Sequence, residues 1–389
     1  MSETSLPSFD YHLPEDRIAS RPTEKRAGAR LMHVLDTGDI VDRVIQDLPG
    51  LLPPESGLWV NETKVLHARL MARKPTGGAL ELLLLEPRDQ PVEQALLAGS
   101  PVVWNAMIGG AKKWKSGALE VPESGVELSV EREGSSLRFS WTGGAAFGAV
   151  LERLGKIPLP PYMRREADAM DADRYQTVFA RQPGSVAAPT AGLHLTERLL
   201  ADMSESGVLM GKVTLHVGVG TFKPISGALE SHQMHGERCL LSKESLMALS
   251  GLDDLTVVGT TSLRTLESAF WLASRWKSGG PGPEVPIGQW IHREVEPGFP
   301  RFRDAAAWLA DQCGSEEGME FITHLMVVPG YRVQSAQRLL TNFHMPNSTL
   351  LCIIEAMMGP GWREAYAHAM DAGYRFLSYG DACLLERSK

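Results

Sequence analysis

The feature that most constrains the fold is a change of hydrophobic pattern over residues 65–157. Short β-rich or alternating segments follow one another there, including ALELLLLEP, PVVWNAMI, GVELSVERE and SLRFSW, with Gly, Pro and Ser turns between them. Strands of this length and spacing predict a small antiparallel barrel or sandwich. The segment is therefore expected to form a small β domain of its own.

The sequence on both sides of this segment alternates between helical and strand patterns. Helices are predicted at 196–206, 261–277, 304–312 and 361–372, and strands at LMHVLD, GLWVNE, KVTLHVG, LTVVG and THLMVVP. This alternation predicts an α/β domain with a mixed sheet and Rossmann-like layers. We expect that domain to comprise residues 1–64 and 158–389, with the β-barrel domain inserted at 65–157. The Gly/Pro-rich segment 278–286 is expected to be a surface loop.

Length and composition narrow the class of protein. A chain of 389 residues is expected to form about two or three domains, and its 43% of apolar residues suffice for a large core. No stretch approaches the roughly 20 uncharged apolar residues of a membrane span. The N-terminus MSETSLPSFDYHLPED has neither a basic region nor an apolar run, so we expect a cytoplasmic protein without a membrane partner.

Cysteine usage and charge exclude further classes. The four cysteines, Cys239, Cys313, Cys352 and Cys383, form no CxxC pair, so neither a disulfide framework nor a zinc ribbon is indicated. A net charge of -8 gives no overall attraction to nucleic acid, so an RNA partner requires a local basic patch. Candidate patches are RKP at 73–75, AKKWK at 111–115 and MRR at 163–165. Short basic clusters of this kind are also common on solvated surfaces.

The first polar motif, at 175–196, ends in APTAGLHLT. Pro189, Thr190, Gly192 and His194 precede a helix that Thr196 opens, and backbone N–H groups at such a start can hold an anion. His194 is a candidate proton carrier or hydrogen-bond donor. A histidine bound to backbone beside an ordinary helix cap remains the alternative.

The second motif, VTLHVGVGTF at 213–222, has the alternation of a strand. That pattern places Thr214, His216 and Gly218 on one face. A plain buried strand accounts for the valines and the leucine but not for His216. The spacing G-x-G-x-x-G is absent, so a dinucleotide site is not supported, and we expect the glycines to let a planar ligand approach the backbone.

Three further clusters carry candidate site residues. His232, His235 and Glu237 suggest a metal, but no helical i, i+4 pair supports that interpretation, and acid/base or hydrogen-bonding roles are favoured. VVGTTSLRTLES places Arg264 near a helix start, where it could bind a carboxylate; a strand, turn and helix with a Thr cap is the alternative. In TNFHMPNST, Asn342, His344 and Ser348 face the site in our interpretation. Near the C-terminus, Arg375 and Asp381 are a candidate ion pair beside Tyr379.

Motifs along nearly the whole chain resemble one family. They include FDYHLPEDRIASRP, WVNETKVLHARL, LERLGKIPLPPYMRR, DRYQTVFA, SVAAPTAGLHLT, VTLHVGVGTFKP, MHGE, VGTTSLRTLES, LLTNFHMPNSTLL and YRFLSYGDA, and they are similar to those of S-adenosylmethionine:tRNA ribosyltransferase-isomerases. The resemblance implies an α/β domain with an inserted β-barrel. It also implies transfer of the ribosyl part of S-adenosylmethionine to 7-aminomethyl-7-deazaguanine in the tRNA anticodon, giving epoxyqueuosine and releasing adenine and methionine.

This implied chemistry assigns roles to the candidate residues. The sulfonium acidifies the adjacent ribose carbon, so a base, most naturally a histidine with a near-neutral pKa, can remove a proton without a metal; S-adenosylmethionine is a substrate and no cofactor is expected. The catalytic candidates are His194, His216, His235, Glu237 and His344. The substrate-binding candidates are Tyr175, Gln176, Pro189, Thr190, Gly192, Thr214, Gly218, Gly220, Thr221, Phe222, Thr260, Arg264, Asn342 and Ser348. Arg264 is expected to hold the methionine carboxylate, and Tyr175 or Phe222 to stack on a base.

The tRNA-binding candidates are Lys112, Lys113, Lys115, Arg164 and Arg165, and we expect a monomer. The chain departs from the family pattern at His67 in TKVLHARL, at Leu195 in AGLHLT and in an extra loop around 279–286. The segment THLMVVPGY also departs from it, and AMMG and GDACLL are looser versions of their motifs. Two other functions therefore stay open. One is an S-adenosylmethionine-using enzyme acting on a free small molecule, and the other is a noncatalytic RNA-binding relative.

Overall fold

A computed structural model describes residues 9–111, 114, 118–121, 127–218 and 229–388. The strands within these residues are β1 (Arg30–Val34), β2 (Ile40–Val44), β3 (Gly57–Asn61), β4 (Thr63–Val65), β5 (Arg69–Arg73), β6 (Ala79–Pro87), β7 (Val102–Ile108), β8 (Leu119–Val121), β9 (Leu128–Glu133), β10 (Ser136–Trp141), β11 (Gln182–Ser185), β12 (Leu209–Leu215), β13 (Glu237–Leu241), β14 (Leu255–Val258), β15 (Met319–Thr323), β16 (Arg338–Asn342) and β17 (Ala382–Glu386).

The helices of the described residues complete the element order. They are α1 (Leu48–Leu51), α2 (Val92–Leu97), α3 (Phe147–Leu154), α4 (Ala169–Arg174), α5 (Glu197–Glu205), α6 (Lys243–Ser250), α7 (Thr260–Lys277), α8 (Ile291–Glu294), α9 (Phe302–Gln312), α10 (Thr349–Met358) and α11 (Trp362–Asp371). None of these helices is both long and apolar enough to cross a membrane.

A mixed sheet organises the α/β domain. Across the described residues its nine strands run in the order β15-β13-β12-β3-β14-β16-β17-β1-β2. The central strands β12, β3, β14 and β16 are parallel, so their carboxyl ends meet at one edge. On one side of these four strands, β13 pairs antiparallel with β12, and β15 pairs antiparallel with β13. On the other side, β17 pairs antiparallel with β16. The predicted mixed α/β sheet is confirmed.

The two faces of the sheet bury two separate cores because successive strand residues point to opposite sides. Trp59, Val257 and Leu339 face α6, α7, α9 and α10. Their neighbours Val258 and Leu340 face α1 and α5 instead. The layered arrangement expected from the sequence therefore follows directly from unbroken apolar runs in the parallel strands.

The β-rich segment forms a closed antiparallel barrel with strand order β10-β7-β6-β5-β8-β9. In β6, Leu80, Leu82 and Leu84 are buried in the barrel core, whereas the intervening residues are not. The alternation with a period of two places one side of each strand in this core. The closed strand order shows that, of the barrel and the sandwich that the sequence allowed, the barrel forms. All six strands, together with α2 and α3, lie inside the segment 65–157 whose boundaries the sequence predicts.

The predicted helices of the α/β domain correspond to α5, α7, α9 and α11. Thr196 caps α5 as expected, because its side-chain oxygen accepts a hydrogen bond from the Leu199 N–H at 3.2 Å. A cap of this kind contributes about 1 kcal/mol. In the buried α7, Ser262, Thr265 and Ser268 donate to carbonyls one turn earlier, which satisfies their hydroxyls inside the core.

One predicted strand is wrong. THLMVVP begins at the last residue of β15, Thr323, and the residues after it form no strand. Leu325, Met326, Val327 and Val328 are nevertheless buried in the large core. Their backbone runs beside the segment 287–289, since the Met326 N–H donates to the Gln289 carbonyl at 3.1 Å. An apolar run therefore marks a buried loop here.

Candidate functional site

Four of the polar motifs meet at a cavity of about 290 Å³, which we name the main cavity. Its walls come from the carboxyl ends of the parallel strands and the residues that follow them: Gly259–Thr261 after β14, 342–346 and Ser348 at and after the end of β16, and Val217 after β12. Ala187–Ala191 and Leu377–Ser378 close it. Because these strands are parallel, their carboxyl ends bring motifs distant in sequence to one edge of the sheet, the usual ligand position in open α/β sheets.

Asn342 is the centre of a buried hydrogen-bond network behind this cavity. Its side-chain oxygen accepts from the Thr190 hydroxyl at 2.8 Å, and its amide nitrogen lies 3.2 Å from His194 Nε2. With the amide donating, Nε2 of His194 is the acceptor and the ring is neutral. Burial, with Arg375 and Arg26 nearby, lowers the pKa of His194 to about 4. His194 supports the cavity wall from behind through Asn342.

His344 lines the main cavity directly. Its Nε2 lies 3.0 Å from the Thr341 hydroxyl, and its backbone N–H donates to the Tyr366 hydroxyl at 3.1 Å. Burial lowers the pKa of His344 to about 3, because the charged ring would lose its hydration. The expectation of a near-neutral pKa is therefore wrong for both buried histidines, His194 and His344.

A second cavity of about 60 Å³ adjoins the first. Leu350 lines both, and Val217 of the main cavity precedes Gly218 of the second. The second cavity is lined by Gly218, His232, Gln233, Met234, His235, Gly236, Glu237, Arg264, Leu325, Met326, Val327, Thr349, Leu350 and Ile353. We call it the charged cavity, because Arg264 and Glu237 form a buried ion pair in its wall.

The Arg264 guanidinium is only partly satisfied. Nη1 donates to Glu237, and Nε donates to the Leu325 carbonyl at 3.2 Å. Nη2 is buried without a hydrogen-bond partner in the described part of the chain. His235 lies in the same wall and is exposed. The predicted carboxylate-binding arginine thus retains one buried, unused donor.

His216 lies outside both cavities, at the contact between the barrel domain and the sheet. The strand β12 ends at Leu215, so the expected strand face with Thr214, His216 and Gly218 does not form. His216 Nδ1 is 2.9 Å from the Thr63 hydroxyl, and Nε2 is 3.6 Å from Glu93 of α2. The hydrogen bond with His216 is the largest factor lowering the pKa of Glu93, to about 2.

Several substrate-binding candidates have structural contacts instead. The Tyr175 ring is fully buried and packs edge-on against Tyr379, 5.7 Å between centroids, so its position gives no surface for stacking on a base. Gln176 clamps Val65 with hydrogen bonds of 3.0 and 2.8 Å. A side chain at Gly192 would meet Phe179 at 2.7 Å, so this glycine serves close packing. Thr214 is buried in β12 and lines neither cavity.

The main cavity includes Pro189, Thr190, Thr260, Asn342 and Ser348, as the sequence suggested. It also includes an aromatic residue that sequence reasoning missed. Tyr162, after the Pro-Pro of IPLPPY, lines the cavity and lies 2.5 Å from the Ser378 hydroxyl. Burial raises its pKa to about 12, so the phenol stays protonated. A tyrosine fixed by a preceding rigid Pro-Pro was the available signal.

Some candidates lie outside the described residues. They are the substrate-binding candidates Gly220, Thr221 and Phe222 and the tRNA-binding candidates Lys112, Lys113 and Lys115. Arg164 is exposed and pairs with Glu15 at 2.7 Å. Arg165 instead binds the buried Asp171 in a bidentate pair, at 2.6 and 2.7 Å. Its guanidinium is used within the protein, which argues against a phosphate contact. The predicted pair of Arg375 and Asp381 is confirmed at 3.7 Å.

Three departures from the family pattern lie away from both cavities, whereas the departure THLMVVPGY contributes Leu325, Met326 and Val327 to the charged cavity. Leu195 is fully buried in the core shared with α5. His67 contacts the Glu152 carbonyl at 3.2 Å on the barrel side. The loop 279–286 is held by Arg275, which donates to four of its carbonyls, those of Pro281, Gly282, Val285 and Pro286. None of these three features lines a wall where the substrate is expected.

The chain matches known proteins over nearly its whole length. The family described as "Queuosine biosynthesis protein" matches residues 6–385. An S-adenosylmethionine:tRNA ribosyltransferase-isomerase of Anaeromyxobacter dehalogenans is 42% identical over 98% of this chain and 99% of its own. A protein of the same name from Acidiphilium cryptum is 39% identical over 99% and 100%. A crystal structure of an S-adenosylmethionine tRNA ribosyltransferase from Thermotoga maritima, 26% identical, covers 97% of this chain and 99% of its own with a TM-score of 0.45. The chain belongs to the queuosine biosynthesis protein family.

Proposed function

We propose that this protein is an S-adenosylmethionine:tRNA ribosyltransferase-isomerase. It transfers and isomerises the ribosyl part of S-adenosylmethionine onto 7-aminomethyl-7-deazaguanine in a tRNA anticodon. The products are epoxyqueuosine, adenine and methionine. The observation that carries the proposal is the convergence of the family's motifs on the main cavity, in a chain 42% identical to a protein of that name.

The main cavity suits the nucleoside part of the substrate. Its walls are mostly apolar, with Tyr162, Val217, Phe343 and Leu377 among them, and a small number of polar groups converge on it. Such a combination, in a volume of roughly 300 Å³, is typical of small-molecule sites. We assign Asn342, His344 and Ser348 to hydrogen bonds with the base and ribose.

Burial determines which histidine can move a proton. An imidazole with a pKa of about 3 or 4 takes up little proton at pH 7, so His194 and His344 serve as neutral hydrogen-bonding groups. His235 lies in the wall of the charged cavity, and its side chain is exposed to solvent. We therefore assign to His235 the removal of the proton from the ribose carbon next to the sulfonium.

The proton loss precedes the opening of the ribose ring, which expels adenine. The amine of the modified guanine then attacks as a neutral nucleophile, forming a C–N bond to the ribosyl group and losing a proton. Methionine leaves as the C–S bond between its sulfur and the ribosyl carbon breaks, with the electron pair going to sulfur. Deprotonation needs only a base, because the sulfonium supplies the acidity, so the proposed reaction uses S-adenosylmethionine as a substrate and no added cofactor. The tRNA backbone is assigned to Arg164 and to the lysines at 112, 113 and 115.

The test incubates the protein with S-adenosylmethionine and tRNA bearing 7-aminomethyl-7-deazaguanine, followed by mass analysis of the digested nucleosides. Epoxyqueuosine with equimolar adenine is the expected result. Release of adenine without tRNA modification would mean a different acceptor, and absence of any S-adenosylmethionine consumption would refute the proposal.

A matched pair of variants tests the assigned base. His235→Gln should lower the rate of adenine release by about 100-fold or more, the range expected for loss of a general base. The control is His12→Gln, an exposed histidine that lines neither cavity. Equal rates in the two variants would remove His235 from the proton transfer.

A further inference from the structure

We propose that the charged cavity binds the amino-acid end of S-adenosylmethionine as a zwitterion. Arg264 donates to the carboxylate, and Glu237 accepts from the α-ammonium group. The inference rests on the proposed function and changes the role of Glu237, which the sequence suggested for acid/base chemistry. It assigns the two adjacent cavities to the two ends of one substrate.

The unused donor of Arg264 supports this assignment. The residue is only 5% exposed, and its Nη2 faces no acceptor in the described part of the chain. Leaving a buried, charged donor unpaired costs about 1–3 kcal/mol or more. Arg275 is also buried in α7, eleven residues after Arg264, and all three nitrogens of its guanidinium have carbonyl partners. The contrast indicates that Arg264 keeps a donor for a ligand.

The ion pair itself selects the kind of ligand. A simple anion bound at Nη2 would lie near the carboxylate of Glu237, which repels it. An α-amino acid carries a carboxylate and an ammonium on one carbon, so it can place each charge against its opposite in the pair. The buried pair of Arg264 and Glu237 therefore favours a zwitterion over phosphate or another lone anion.

The size and position of the charged cavity agree with binding of the amino-acid end there and of the nucleoside in the main cavity. At about 60 Å³ it is too small for a nucleobase, whereas the main cavity has about 290 Å³. Leu350 contributes to both, and the consecutive residues Val217 and Gly218 line one cavity each. A substrate with a nucleoside at one end and an amino acid at the other thus spans them, with its sulfonium at the junction.

The test compares S-adenosylmethionine with decarboxylated S-adenosylmethionine on the unmodified protein, using adenine release as the readout. Loss of the carboxylate should raise KM by about 10-fold to 100-fold, which corresponds to roughly 1.4–2.8 kcal/mol. Adenine release from S-adenosylmethionine is the internal control for the proposed function. If that reaction proceeds and both compounds have equal KM values, the zwitterion site is refuted while the proposed function stands.

Substitution of Arg264 tests the same carboxylate contact by changing the protein instead of the substrate. Arg264→Lys keeps the charge beside Glu237 but removes the second nitrogen. It should raise KM for S-adenosylmethionine about 10-fold and leave KM for the decarboxylated compound unchanged. Arg275→Lys is the matched control, since it changes an equally buried arginine of the same helix that lines neither cavity. Parallel effects of Arg264→Lys on both compounds would overturn the carboxylate contact.

Discussion

The two cavities are built on opposite electrostatic principles, although they share a wall. In the main cavity the buried polar groups are neutral: Asn342, His344 and the hydroxyl of Thr190. In the charged cavity a buried cation and anion face each other. Burial forces this division, because a histidine loses its charge when desolvated, whereas an arginine keeps its charge and needs an anion.

This electrostatic difference allows one edge of a sheet to recognise a substrate with unlike ends. Neutral groups can contact a base and a ribose without a desolvated charge nearby, while the ion pair matches a zwitterion. The loops after β12, β14 and β16 supply the main cavity, and α7, which begins at Thr260, carries Arg264 into the charged one. Both sites therefore depend on the same parallel strands.

The largest difference between the two cavities is expected in the free energy of unfolding that each loses when a central residue is replaced by alanine. Arg264→Ala leaves the Glu237 carboxylate buried without its cation, which costs about 3–5 kcal/mol. Asn342→Ala removes neutral hydrogen bonds and should cost about 1–3 kcal/mol. Urea unfolding at pH 7 measures both. A smaller loss for Arg264→Ala than for Asn342→Ala would show that the charged cavity is not held by its ion pair.

An effect of intermediate size is expected in the pH dependence of the free energy of unfolding. The folded-state pKa of His344 is about 3, below the ordinary value of about 6.5, so protonation favours the unfolded chain. The contribution of neutral His344 to the free energy of unfolding is fully present above about pH 6.5 and is lost progressively as the pH falls toward 3. Between pH 7 and 5 this loss should be about 2 kcal/mol.

Replacement of the ring isolates that contribution. His344→Gln should reduce the pH-dependent loss of unfolding free energy by about 2 kcal/mol between pH 7 and 5. His12→Gln, which replaces an exposed histidine that lines neither cavity, is the control variant. An unaltered slope in His344→Gln would contradict the neutral main cavity.

The smallest effect is expected at Ser348, whose hydroxyl is buried without a partner in the described residues. It precedes α10 but makes no cap bond, so Ser348→Ala should change unfolding free energy by less than about 0.5 kcal/mol. Loss of a ligand hydrogen bond should still raise KM for S-adenosylmethionine about 2-fold to 10-fold. Ser242→Ala removes the side-chain hydrogen bond that caps α6. It should lower the free energy of unfolding by about 1 kcal/mol and leave KM unchanged.

The sequence predicted the elements with regular periodicity and failed where tertiary contacts decide. The α7 helix and its Arg264 followed from the pattern, as did a small antiparallel β domain that could be a barrel or a sandwich. The segment after Thr323 did not, because an apolar run has the same appearance in a buried loop and in a strand. Likewise α10, apolar almost all round, gave no helical stripe to recognise.

The site was predicted as a set of motifs but not as two cavities. Parallel strand ends explain why the motifs meet, and that much follows from an α/β pattern. Burial of His344 and the pairing of Arg264 with Glu237 depend on packing between distant segments, so neither pKa direction nor charge pairing could be deduced beforehand. For the same reason the sequence suggested His216 as a catalytic residue. In the structure it contacts Thr63 and Glu93 where the barrel domain meets the sheet.

The most direct test of the two-cavity account is a crystal structure with S-adenosylhomocysteine, which lacks the reactive sulfonium but keeps both ends. We expect the adenosine in the main cavity beside Asn342 and His344, and the carboxylate about 3 Å from Arg264 Nη2. An adenosine outside the main cavity, or an amino-acid end directed away from Arg264 and Glu237, would contradict it.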